Sequence, residues 1–230
     1  EGKHRIISYC DYGGLRVILK RFLFNPQMLK HLYIFFLPFI LLCSPGARGA
    51  VFTVTSNADG GTGTLRQFIG FCNSNGITES DTIYFNFTDL TEAGRTINLL
   101  TELPALSSNI VIDGTSQPGL PIGISAAKVI LYLDHYTSFP FTYLMISNAS
   151  EVSILGICFK YFNDPNNGGG EHYAIGLRNS NRIRVGSPGK GNLFMAVRAS
   201  ITNRFWNYSS DSIRDLTIQS NVIGFYGPSG

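Results

Sequence analysis

Residues 51–87 read VFTVTSNADGGTGTLRQFIGFCNSNGITESDTIYFNF. Phe52 and Val54 alternate with Thr53 and Thr55, the period of two that marks a half-buried strand. After a glycine-rich corner, Thr64 and Gln67 stand three residues apart, a capping-box pair that opens a helix. Leu65, Phe68, Ile69 and Cys72 then fall at i, i+3, i+4 and i+7, which is one apolar helical face. Asn75-Gly76 supplies the stop. Arg66 falls on the solvent side of this helix, where its expected role is solubility. Ile83, Phe85 and Phe87 next alternate with Tyr84 and Asn86, so a strand returns at once. The stretch is a strand, one short helix and a strand.

Downstream the same alternation recurs in short bursts. They are Ile97 and Leu99, Ile110 and Ile112, Val129 with Leu131 and Leu133, and Leu144 and Ile146. Ile154, Ile157 and Phe159, Ile175 and Leu177, Ile183 and Val185, and Leu216 and Ile218 complete the series. Asn, Ser, Gly and Asp separate them, as in SNASE, RNSNR and GSPGKGN, and these residues tolerate the positive φ of tight corners. A sandwich of hairpins wants two-residue Asn-Gly or Asp-Gly turns between paired strands. Asn75-Gly76 ends the helix, Asp59-Gly60 sits in a glycine-rich loop, and Asp113-Gly114 leads into a long connection, so hairpin turns are scarce. Strands wound on three faces of a right-handed coil give a turn of about 20–30 residues, within the range of solenoid repeats. The amphipathic helix is then the cap that an open solenoid end needs. The expected fold is all-β, a right-handed parallel β-helix with a short N-terminal capping α-helix.

Three motifs carry a family resemblance. The first is Asp59, Gly61, Gly63, Thr64, Leu65 and Arg66 at the helix entrance; the second is Asp81, Thr82, Ile83 and Phe85. The third is Ile112, Asp113, Gly114, Thr115, Gln117, Pro118 and Gly119. In this order they resemble the N-terminal capping unit of exported bacterial right-handed parallel β-helix repeat proteins, of pectate-lyase-like fold. RIRVGSPGKGNLF (182–194) and QSNVIG (219–224) resemble the coil repeats of that family, in which a Gly-Asn corner precedes an apolar strand. Phe68 and Phe71 depart from it, standing where such a helix often carries Ala. Because the chain stops directly after a coil motif, it is expected to be the truncated N-terminal part of such a domain.

The first fifty residues read as an address. Lys30 and His31 precede an apolar run of twelve from Leu32 to Cys43, and Ala47 and Gly49 give the small-x-small pattern of a cleavage point. Twelve residues are too few to cross a bilayer, which takes about twenty. The expected organisation is an upstream extension or artefact at 1–27, a signal peptide at 28–49 and the β-helix at 50–230. Seven Lys and Arg against two Asp and Glu in residues 1–50 leave eleven against thirteen, a net charge of −2, in the rest. The overall charge of +3 thus belongs to the leader and does not favour nucleic acid as a partner, even though Arg178, Arg182, Arg184 and Lys190 form a local basic stripe. The membrane is met only through the signal peptide, and the expected location is outside a bacterial cell or on its surface. Cys72 and Cys158 are the only cysteines in the body, enough for one bridge or two buried thiols and too few for a four-ligand metal site.

For chemistry, a glycoside hydrolase wants two carboxylates roughly 5–10 Å apart. The closest acidic pairs, Glu79/Asp81, Asp89/Glu92 and Asp211/Asp215, lie at turns or strand entries, where capping explains them. No catalytic residue is assigned. Residues 164–171 (DPNNGGGE) offer oxygen ligands with only two charges, so calcium is not supported as a cofactor. With Val129, Leu131 and Leu133 facing inward, Tyr132 and Asp134 face outward together, near Tyr136 and Tyr143. Trp206 and Tyr208 form a second aromatic pair. Tyr132, Asp134 and Tyr136 are the candidate glycan contacts, against a bland alternative in which rings stack on equivalents in neighbouring coils. The expected role is structural, adhesive or glycan-binding, with extracellular polysaccharide or cell-surface glycan as partner. The alternative is a polysaccharide lyase or hydrolase whose catalytic coils lie beyond Gly230.

Overall fold

A computed structural model describes residues 49–133, 141–161, 172–195, 199–203 and 212–224. The proposed leader and upstream extension lie outside the described residues. The chain forms β1 (Val51–Val54), α1 (Leu65–Ser74), β2 (Asp81–Phe85), β3 (Thr96–Asn98), β4 (Ile110–Asp113) and β5 (Val129–Leu133). There follow β6 (Phe141–Ser147), β7 (Ser150–Leu155), β8 (Ile157–Tyr161), β9 (His172–Arg178) and β10 (Ser180–Val185). The last are β11 (Leu193–Met195), β12 (Ala199–Thr202), β13 (Ile213–Ile218) and β14 (Val222–Gly224).

These strands make three sheets. The first runs β1-β2-β4-β7-β10-β13, the second β14-β11-β8-β5-β3 and the third β12-β9-β6. Among the described residues every strand pairing is parallel. From β6 onward the chain visits the third, first and second sheets in strict rotation. This is a parallel β-helix, and the hairpin sandwich is excluded.

Parallel register turns the period-two pattern into columns. Phe52, Ile83, Ile112, Ile154, Val185 and Ile218 align through the first sheet. Ile97, Leu131, Phe159, Phe194 and Ile223 align through the second. The inner side chains merge into one core, in which Phe159 and Phe194 stack with centroids 5.2 Å apart. Tyr143 belongs to that core and not to an outer aromatic cluster: it is fully buried, meets Phe141 and Phe159 edge-on, and donates its hydroxyl to the Lys160 carbonyl at 2.7 Å.

The N-terminal end is closed by α1, which buries Leu65, Ile69 and Cys72 in the core. Its capping box is reciprocal: Gln67 N–H donates to Thr64 Oγ1 at 3.3 Å and Gly63 N–H donates to Gln67 Oε1 at 2.8 Å. Phe68 and Phe71 form an aromatic group with Phe52 on the flank of the cap, Phe52 and Phe68 stacking at 5.2 Å. Arg66 is not merely a solubilising side chain. It donates to the Asp59 carbonyl (3.0 Å) and carboxylate (2.6 Å) and to the carbonyls of Thr101 (2.9 Å) and Glu102 (2.6 Å), tying the glycine-rich loop to the loop after β3.

The third motif replaces missing strand bonds with side chains. Gln117 accepts from Phe87 N–H at 2.7 Å and donates back to the Phe87 carbonyl at 3.1 Å, while Ser116 Oγ accepts from Phe85 N–H at 2.8 Å. Asp113 accepts from Thr115 N–H at 3.0 Å and pairs with Lys190 at 2.6 Å. That contact raises the Lys190 pKa. At the corners Asn148 and Asn179 take left-handed φ of 52° and 44°, and Asn179 donates to Asn148 Oδ1 at 3.1 Å. The Gly-Asn corner works differently. Buried Asn192 accepts from Ile157 N–H (3.0 Å) and donates to the Ile154 carbonyl (2.9 Å) and to Asn221 Oδ1 (3.0 Å). Gly186 makes room for this corner: φ is +77°, and a Cβ there would lie 2.1 Å from the Gln219 carbonyl oxygen.

Candidate functional site

Among the described residues, one outward row of the second sheet is apolar from β5 to β14. In the second sheet Thr96, Ile130, Cys158, Leu193 and Val222 lie side by side across five strands. The neighbouring row, Asn98, Tyr132, Lys160, Met195 and Gly224, is mixed. The chain between β4 and β5 folds over this face. Ile122 N–H donates to the Ala127 carbonyl at 2.8 Å, and Arg95 holds the segment by donating to the carbonyls of Leu120 (2.7 Å) and Lys128 (3.2 Å). Ala127, Ile130, Cys158 and Leu193 form a second apolar cluster outside the main core, with Ile122, Tyr132, Met195 and Val222 packed against it.

Between loop and sheet lies a cleft of about 430 Å³, with Ile122, Ile124, Ile130, Leu193, Met195 and Val222 among its lining. Ile124 stands at its lip with 90% of its surface exposed. Glu92 and Lys160 are the only charged residues lining it among the described residues, and they pair at 3.0 Å. Lys160 Nζ also lies 5.8 Å from the centroid of the Tyr132 ring, a cation–π arrangement. Cys158 Sγ sits 3.7 Å from Met195 Sδ, and burial pushes its thiol up to about 12. At neutral pH it is a small apolar group and not a nucleophile.

Tyr132 faces outward and is half-buried. Its register neighbours are Asn98 and Lys160. Asp134 and Tyr136, together with His135, Trp206, Tyr208 and the 164–171 loop considered for calcium, lie outside the described residues. Among the described residues no three His, Cys, Asp or Glu side chains are placed to hold a metal ion. Lys160, Ile122, Leu193 and Met195 are not among the residues that the sequence singles out as site candidates, and Glu92 reads there as a turn residue only. A signal existed: VILYL, ICF and LFM are apolar at successive positions, and a strand apolar on both faces is covered on both.

What the groove can do follows from its lining. Among the described residues it holds a single carboxylate, Glu92, which is paired with Lys160, whereas glycoside hydrolysis uses two carboxyl groups flanking the bond. Of the basic stripe, Arg182 pairs with Glu151 and Lys190 with Asp113. Cys72 and Cys158 are both free thiols, buried and unbridged. No family model matches the chain, and no curated protein matches it.

Proposed function

We propose that this chain is an exported, cell-surface β-helix module that binds a glycan without cleaving it, through the groove on the outer face of the second sheet. The observation that carries this reading is the pairing of an apolar floor with a polar, aromatic edge. Sugar rings present C–H faces to one side and hydroxyls around their rim. Ile122, Ile124 and Val222, which keep exposed surface along the cleft, suit the first, while Tyr132 and the Glu92–Lys160 pair suit the second. A solenoid face also offers successive sites at the strand spacing of ~4.8 Å, which favours an extended polymer. Export is supported by the apolar run of Leu32 to Cys43 and the small residues after it.

The test is a polysaccharide binding screen with the full chain, followed by Tyr132→Ala. Retention of at least one polymer, weakened about tenfold or more in the variant, is expected, since stacking on an aromatic side chain is worth ~1–3 kcal/mol. Retention unchanged by Tyr132→Ala would place binding elsewhere. Release of cleavage products, abolished by Glu92→Gln, would show the module to be an enzyme.

A further inference from the structure

At the entrance to the solenoid one buried carboxylate joins three elements without a cation. Asp81 opens β2 and is 2% exposed. Its Oδ1 accepts from the backbone N–H of Ala50 at 2.7 Å, and its two oxygens accept from the Asn75 side-chain amide at 3.0 and 3.2 Å. The Cys72 thiol faces it from α1. Among the described residues no Lys, Arg or His pairs with it. A buried carboxylate held by neutral donors alone carries a desolvation cost that a cation would offset. Ala50 is held from its other side as well, its carbonyl accepting from Thr82 N–H at 2.8 Å. The nitrogen that meets Asp81 is thus fixed in place by β2.

We propose that a signal peptidase cuts the chain between Gly49 and Ala50, and that the new α-ammonium of Ala50 forms an ion pair with Asp81. This inference rests on the export reading above. It adds to that reading the position of the cut and the group that receives its product. Ala47 and Gly49 supply the small residues that such a peptidase takes before its cut. Position 49 is held small by packing too, since a Cβ there would lie 2.0 Å from the Ser80 carbonyl oxygen. Hydrolysis adds water across the Gly49–Ala50 bond. Gly49 leaves with the new carboxylate, and Ala50 keeps the nitrogen as an amine that is protonated below its usual pKa of ~7.7–8.0. That nitrogen is the one already 2.7 Å from Asp81 Oδ1. A neutral donor becomes a cation beside a carboxylate, which adds the attraction of opposite charges. A cut one residue later would remove Ala50 and the contact with it.

The experiment expresses the full chain in an exporting bacterial host and reads the product by N-terminal sequencing and intact mass. A single product beginning at Ala50 is expected. Competitive acetylation of that product across a pH series, followed by peptide mass spectrometry, then titrates the Ala50 α-amine. It is expected to be about tenfold or more less acidic than an ordinary α-amine, whose pKa is ~7.7–8.0. Asp81→Asn, which keeps the shape and removes the charge, is expected to return it to that range. An exported product beginning at another residue would overturn the inference and leave export standing. A product beginning at Ala50 with an ordinary α-amine would overturn the ion pair, and that measurement needs no variant to fold. A chain left uncut, still beginning at residue 1, would overturn the export reading and this inference together.

Discussion

At the scale of single residues, the corner asparagines carry more of the fold than their polarity suggests. Asn192 is fully buried, and its amide accepts from Ile157 N–H and adds a second bond to the Ile154 carbonyl, which also accepts from Gly186 N–H at 2.9 Å. Asn192→Ala removes the partner of Ile157 N–H, at ~1–3 kcal/mol, while the Ile154 carbonyl keeps its backbone bond. Urea unfolding should show a loss of about 1–3 kcal/mol, and no measurable loss would mean that water replaces the amide. The buried thiols set a second expectation. Burial holds Cys72 and Cys158 up to about 12, with Asp81 adding to the effect at Cys72, whereas an unfolded thiol ionises near ~8.5. Between those values the folded state keeps protons that the unfolded chain releases, so stability falls as pH rises above about 9. Lys190, its pKa raised by Asp113, acts in the same direction at higher pH. The slope is ~1.4 kcal/mol per pH unit for each thiol. Urea midpoints at pH 7.5 and 10 under reducing conditions would measure it, and Cys158→Ala should flatten the curve. An unaltered slope in that variant would refute the assignment.

Elements were legible where their pattern was local. The helix announced itself through Thr64 and Gln67 and the spacing of Leu65, Ile69 and Cys72, and the core columns through simple alternation. Phe68 was legible only in part, because its ring stacks on Phe52 at the flank instead of entering the core. Arg66 was misread for a related reason. Helical phase placed it on the outside, but its partners Thr101 and Glu102 lie 35 and 36 residues away, and no local pattern reveals them. The same limit hid Lys160 and Glu92, which are 68 residues apart and meet only through register. Tyr143 shows the opposite error: the nearness in sequence of Tyr132, Tyr136 and Tyr143 suggested one surface, whereas Tyr143 stands in the third sheet, buried in the core. Because Arg66 makes four charge-assisted bonds and is mostly covered, Arg66→Ala is expected to cost about 2–3 kcal/mol. Limited proteolysis should then cut first between residues 56 and 63. Protection equal to that of the unmodified chain would show that the loop holds without its clamp.

At the scale of the whole solenoid, each turn leans on its neighbours, so the cost of a core truncation depends on which turn it strikes. Ile154 and Ile218 occupy the same inward column, both flanking Val185. Ile154 is fully buried, whereas Ile218 is 51% exposed, and Leu216 and Ile223 of the same turn are exposed as well. Ile154→Ala should therefore cost ~2–5 kcal/mol and Ile218→Ala well under half as much. Equal losses in thermal or urea unfolding would contradict a stacked, nearest-neighbour architecture. The same stacking leaves the outer face of the second sheet as the place where an apolar row meets a covering loop and a polar edge, and the account of function rests there. Hydrogen–deuterium exchange of the full chain with and without a saturating polysaccharide ligand tests that most directly. Slowed exchange in residues 120–127 and in β8 and β11, with β7 and β10 unchanged, is the predicted footprint. Protection confined to the first sheet, or no protection at saturation, would contradict it.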